Sequence, residues 1–94
     1  MVAISTGHRV WKYQLPIDCE NFTVDMPRDA TILSVQVQHS SPCLWADVWP
    51  ESSVIGRQFC WVGTGKSVPS GAVVHRGTVI LFDDALVLHL YEYL

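Results

Sequence analysis

The pentapeptide Gly63-Thr64-Gly65-Lys66-Ser67 follows an apolar run and has the makings of an anion site. Two glycines free the backbone to turn its N–H groups to one side, with Lys66 and two hydroxyls beside them. It is not a P-loop. That motif needs a glycine five positions before Gly65, where this chain has Cys60, and a helix after the lysine, where it has Ser67-Val68-Pro69-Ser70-Gly71. Two readings stand side by side. In one the turn is an anion-binding nest, Arg57 or Arg76 adds phosphate contacts, and Trp45 or Trp61 stacks a base. In the other it is an ordinary glycine-rich turn, the arginines are solvated, and the tryptophans fill the core.

Four histidines, His8, His39, His75 and His89, and three thiols, Cys19, Cys43 and Cys60, raise the question of a metal. Only His39 and Cys43 are close in sequence, across a Ser-Ser-Pro turn, and there is neither a Cys-x-x-Cys nor a His-Glu-x-x-His. No metal site and no cofactor are expected, and His89 reads as a buried or interfacial histidine bonded to a neighbour. An odd number of widely spaced cysteines reads as reduced thiols, not as a disulfide framework. Asp83-Asp84 belongs where a hairpin turn does, and Asp47 would matter to chemistry only if it lined a cleft. No nucleophile elbow or Cys/His signature appears. The chain is expected not to be an enzyme, and no residue is assigned as catalytic.

The elements that must position these residues are strands. Valine occurs 13 times and isoleucine 5 times, against 5 Ala, 3 Glu and 2 Lys, a balance that suits pleated surfaces and leaves little for helices. Pro16, Pro27, Pro42, Pro50 and Pro69 separate the apolar segments Val10–Leu15, Phe22–Met26, Thr31–Gln38, Cys43–Trp49 and Arg57–Val62. After Pro69 come Val73–Val74, Thr78–Phe82 and Leu86–Tyr93. About seven short, mostly antiparallel strands are predicted, in a small all-β sandwich or barrel with little or no helix. With 94 residues the chain is one domain, 1–94, with 1–8 as a loose N-terminal segment.

Leu33, Val35 and Val37 alternate with Ser34, Gln36 and Gln38, the pattern of a strand with one wet face. Cys43–Trp49 and Leu86–Tyr93 are apolar on both sides. Such strands are central in a two-sided core or meet another subunit. A homo-oligomer using the C-terminal strand or the Trp45/Trp49 face is expected, beside the alternative of a curled monomeric barrel.

Six Lys+Arg against nine Asp+Glu give a net charge of −3, which argues against long nucleic acid or an anionic membrane as partner. No apolar run approaches a membrane span, and Met1-Val2-Ala3-Ile4-Ser5 lacks the regions of a signal peptide, so a cytoplasmic setting is expected.

Several motifs occur in a distinctive order: Trp11-Lys12-Tyr13-Gln14-Leu15, Met26 through Gln38, Pro42-Cys43-Leu44-Trp45-Ala46, and Phe59 through Gly65. In this order, and with Gly77-Thr78 and the aromatic tail around His89, the chain resembles a family of small phage- and prophage-encoded proteins, a domain of unknown function. Members of that family typically follow Gly-Thr-Gly with His, where this chain has Lys66. The resemblance implies an accessory phage protein in a bacterial host cell. By analogy with that class, the expected function is non-enzymatic counter-defence: sequestration of a small anionic ligand such as a nucleotide immune signal. The proposed anchors are Gly63, Thr64, Gly65, Lys66, Arg57, Arg76, Trp45 and Trp61. The alternatives are a protein–protein inhibitor of a host defence factor, with an exposed aromatic hot spot, and a virion assembly accessory.

Overall fold

Segments that alternate with period 2 can bury one face and leave the other wet, and they become strands in the computed structural model, which describes residues 7–94. They are β1 (Arg9–Gln14), β2 (Asn21–Pro27), β3 (Thr31–Gln38), β4 (Ser41–Val48), β5 (Val54–Gly63), β6 (Val73–Leu81) and β7 (Leu86–Tyr93). All pair antiparallel, in a three-stranded sheet of order β1-β4-β3 and a four-stranded sheet of order β2-β5-β7-β6. The fold is the expected all-β one, as two sheets, with no helix among the described residues. Leu44, Ala46 and Val48 of β4 and Val35 of β3 meet Phe59, Trp61, Val79, Leu81 and Leu90 of the larger sheet in one core.

The strands apolar on both faces sit inside their sheets. β4 lies between β1 and β3, and β7 between β5 and β6, so each has neighbours on both edges as well as a core beneath. Central placement covers the edges of these strands but not their second faces, where Trp45, Asp47, His89 and Tyr91 are only partly buried.

Proline punctuation holds less well than expected at two positions: Pro27 is the last residue of β2, paired with Val54, and Pro42 falls further inside a strand. Pro42 lies within β4, buried, opposite Val37. The preceding turn explains why it fits. His39 and Ser40 both have positive φ, 52° and 64°, the backbone of a two-residue type I′ hairpin. Gln38 and Ser41 close that hairpin as a hydrogen-bonded pair, which makes Val37 and Pro42 the next, non-bonded pair. The missing N–H of Pro42 therefore removes no bond to β3. At the other hairpin, between β6 and β7, Asp83 and Asp84 occupy the turn as expected, closed by the Ala85 N–H on the Phe82 carbonyl at 3.0 Å.

The segments around Val73 and Thr78 form one strand, not two. The pairing with β7 shifts between His75 and Gly77, leaving Arg76 as an extra residue in a β-bulge. The expectation of a loose segment over 1–8 falls mostly on residues 1–6, outside the described residues. His8 is held: its Nδ1 pairs with Asp47 and its ring stacks on Trp49 at 4.9 Å.

The sheets approach most closely where β6 crosses β3. A Cβ on Gly77 would lie 2.8 Å from Val35 Cβ, a distance that forces one sheet to move. Gly77→Ala is therefore expected to destabilise the domain by about 1–3 kcal/mol, the usual range for overpacking. Urea unfolding checks this, with Gly71→Ala, which meets nothing within 4 Å but has a φ of 96°, as a comparison for backbone strain alone.

Candidate functional site

Three strands of the larger sheet carry charge into the layer between the sheets. Glu92 is in phase with Leu86, Leu88 and Leu90 on the core side of β7, and it lies opposite Phe59 of β5 and Val74 of β6. Arg57 shares the core side of β5 with Phe59, two residues further on. The bulge in β6 leaves both Arg76 and Gly77 on that side, so Arg76 reaches the same place without throwing Val79 and Leu81 out of the core.

The result is one carboxylate shared by two guanidiniums. Arg57 donates from Nε to Glu92 Oε2 at 2.6 Å and from Nη2 to Oε1 at 2.8 Å, a bidentate fork. Its Nη1 donates to the Ala30 carbonyl at 2.6 Å, tying in the turn between β2 and β3. Arg76 donates to Glu92 Oε1 from Nε at 2.9 Å and approaches it with Nη2 at 2.7 Å. The side chains are 13%, 5% and 27% exposed for Arg57, Glu92 and Arg76, so these charges are largely desolvated. Burial alone would push the Glu92 carboxyl up, but hydrogen bonds from both arginines, and their charges, outweigh it and hold it below the usual carboxylate range.

A groove of about 580 Å³ opens beside this cluster, lined by Arg28, Arg57, Glu92, Gln58, Tyr93 and the neighbouring chain. Arg28 is positioned by its Nε on Ser53 Oγ at 2.9 Å and by its own N–H on the Ser53 carbonyl at 2.9 Å. The lining thus holds two guanidiniums, of which Arg57 bonds the carboxylate already shared with Arg76 and Arg28 does not. Tyr93 closes another wall, its hydroxyl donating to Asn21 Oδ1 at 2.7 Å.

The residues proposed from sequence divide among several places. Gly63, Thr64, Gly65 and Lys66 form a type II turn at the far end of β5, closed by the Lys66 N–H on the Gly63 carbonyl at 3.0 Å, with a φ of 88° at Gly65. Gly63 lies six positions along β5 from Arg57, about 20 Å at the usual rise of ~3.3 Å per residue. Arg57 and Arg76 are together, but on Glu92. Trp45 lies on the outer face of the smaller sheet, between Lys12 and Ser34, beside a hollow of about 310 Å³. Trp61 is in the core: 5% exposed, its Nε1–H donating to the Pro16 carbonyl at 2.7 Å and its ring against Phe22. Its ring faces are occupied by protein. Sequence reasoning overlooked Glu92, Arg28 and Tyr93. The signal for Glu92 was present in its phase with three leucines, since a carboxylate on a core face must find cations.

A family model described as a domain of unknown function (DUF7352) matches residues 6–94, so the chain belongs to that family. No curated protein and no solved structure matches it. No helix is long and apolar enough to cross a membrane among the described residues.

Removing the shared carboxylate leaves two largely buried cations without a counter-charge. Glu92→Gln is expected to cost about 3–5 kcal/mol, read by urea unfolding. Should that variant not fold at all, Arg76→Gln, which leaves the Arg57 fork in place, is expected to fold with a smaller loss. Because the folded-state pKa of Glu92 is depressed, its contribution to stability is present above the unfolded carboxylate range (~4.3). It is lost as pH falls from there through the lower folded value. In Arg76→Gln that acid-sensitive contribution shrinks.

Proposed function

We propose that this member of the DUF7352 family is a non-enzymatic binding module that sequesters a small anionic ligand in the groove lined by Arg28 and Arg57. One observation carries the reading. Arg28 stands in the groove wall beside the Arg57–Glu92–Arg76 cluster and makes no ion pair among the described residues. A guanidinium without an ion pair is available to an anion, and guanidiniums suit phosphate oxygens. Tyr93 supplies an aromatic wall. A nucleotide combines a phosphate with a ring. In the phage setting that the sequence resemblance implies, the ligand is a nucleotide immune signal withdrawn from a host defence response in the bacterial cytoplasm.

The homo-oligomer belongs to this proposal. The Gly63–Lys66 turn is too far from the groove for one small ligand to touch both within a chain. A ligand held by both has to lie between two copies.

A second reading, inhibition of a host protein by direct contact, draws on a different feature. Phe82 is 61% exposed and Ile80 53%, beside a turn in which Phe82, Asp83 and Asp84 all have positive φ. Positive φ is costly for bulky residues, and strain of this kind concentrates at functional sites. An aromatic displayed there has the character of an interface anchor.

Thermal shift against cyclic nucleotides and ADP-ribose-type nucleotides separates the readings. A ligand at a hundred times its Kd adds about 2.7 kcal/mol. For a domain of this size that raises Tm by about 10 °C or more. The expected result is such a rise with at least one nucleotide, abolished in Arg28→Ala. No rise with any of them would overturn the sequestration reading. Loss of a co-purifying host protein in Phe82→Ser but not in Arg28→Ala would favour the second.

A further inference from the structure

The bulge at Arg76 has an effect on the opposite side of the sheet. In a regular strand His75 and Thr78, three residues apart, would face opposite ways. The extra residue puts both on the outer face of β6, where His75 pairs with Tyr91 and Thr78 with His89 across the ladder to β7. Two histidines fourteen positions apart are thereby brought to ring centroids 6.1 Å from each other.

Their nitrogens converge. Thr78 Oγ1 lies 2.9 Å from His89 Nδ1 and 3.2 Å from His75 Nε2, so both imidazoles address a single point. The other nitrogen of His89, Nε2, is 2.9 Å from Thr64 Oγ1. The tautomer that donates Nε2–H to Thr64 leaves the Nδ1 lone pair aimed at that shared point. A ring nitrogen held by an oxygen on its far side is how metal-binding histidines are oriented. The edge of Tyr91 against the His75 ring, centroids 5.2 Å apart at 70°, steers the second imidazole.

We propose that His75 and His89 form a binding site for one divalent late first-row transition cation, with Thr64 as a positioning residue. The cation sits about 2.1 Å from His89 Nδ1, on the line toward the point now taken by the Thr78 hydroxyl, which rotates aside, while the exposed His75 ring closes in from its hydrogen-bonding distance. Two neutral imidazoles suit Cu²⁺, Ni²⁺ or Zn²⁺ and discriminate against Mg²⁺, which requires oxygen ligands. Among the described residues no third His, Cys, Asp or Glu joins them, so water completes an open coordination sphere. The site is independent of the arginine groove. The close sequence pair His39 and Cys43 does not form it: they flank a hairpin turn, and Cys43 is buried.

Titration of Ni²⁺ into tag-free protein, followed by calorimetry and by NMR of the histidine ring protons, tests the assignment. The expected result is one Ni²⁺ per chain, perturbing the His75 and His89 rings, with no binding of Mg²⁺. Affinity falls at least tenfold in His75→Ala and in His89→Ala and is unchanged in His39→Ala. Thr64→Val, which removes no ligand, weakens binding about tenfold by freeing the tautomer. Absence of saturable Ni²⁺ binding up to millimolar concentration overturns the proposal. So does a His75→Ala variant, folded by its thermal melt, that binds Ni²⁺ as tightly as the parent protein.

Discussion

One carboxylate between two arginines governs the larger sheet. Glu92 sits where a leucine would continue the core face of β7, and it is tolerated there because Arg57 and Arg76 supply four N–H contacts to its two oxygens. Each partner constrains its own strand. Arg57 has to lie on the core side of β5 and also holds the Ala30 carbonyl, which fixes the start of β3. Arg76 has to reach inward from β6 without displacing Val79 and Leu81, and the bulge solves that. A buried ion pair is weak evidence for stability, but breaking one is costly. The triad is thus best seen as fixing register: a slip of one residue in β5 or β7 would bury an unpaired charge.

The same bulge shapes both faces of the sheet. On the core side it delivers a second guanidinium to Glu92, so that this carboxylate is fully engaged by Arg57 and Arg76 and not by Arg28. On the solvent side it aligns His75 with Thr78 and His89. A single inserted residue thus accounts for the charge character of one site and the nitrogen geometry of the other. Neither would arise from a regular strand.

Much of the architecture was legible in the sequence because it rests on local signals. Period-2 alternation in β1, β2 and β3, and the scarcity of helix formers, point to strands whatever their order. The double-sided pattern of Cys43–Trp49 and Leu86–Tyr93 belongs to strands that lie inside their sheets and whose outer faces stay partly exposed. The bulge was not legible, since nothing in His75-Arg76-Gly77 distinguishes an extra residue from a break, and the segment read as two pieces. Pro42 read as a boundary because its tolerance depends on the hydrogen-bonding phase set by the His39-Ser40 turn. The site was the least legible part. Arg57 and Arg76 were picked out by charge, yet their partner Glu92 and the groove neighbour Arg28 come from other strands and turns. Only pairing in three dimensions shows that Trp61 is enclosed and that Lys66 stands a strand's length from the arginines.

The central claim is that Arg28, which makes no ion pair among the described residues, holds a small anion in the groove beside the Arg57–Glu92–Arg76 cluster. Native mass spectrometry of the protein purified under mild conditions from bacterial cells tests it most directly, with Arg28→Gln prepared in parallel. The account predicts a population of the parent protein carrying a small phosphorylated molecule that is absent from the variant. Bare polypeptide mass in both preparations, unchanged when nucleotides are added before spraying, would contradict it.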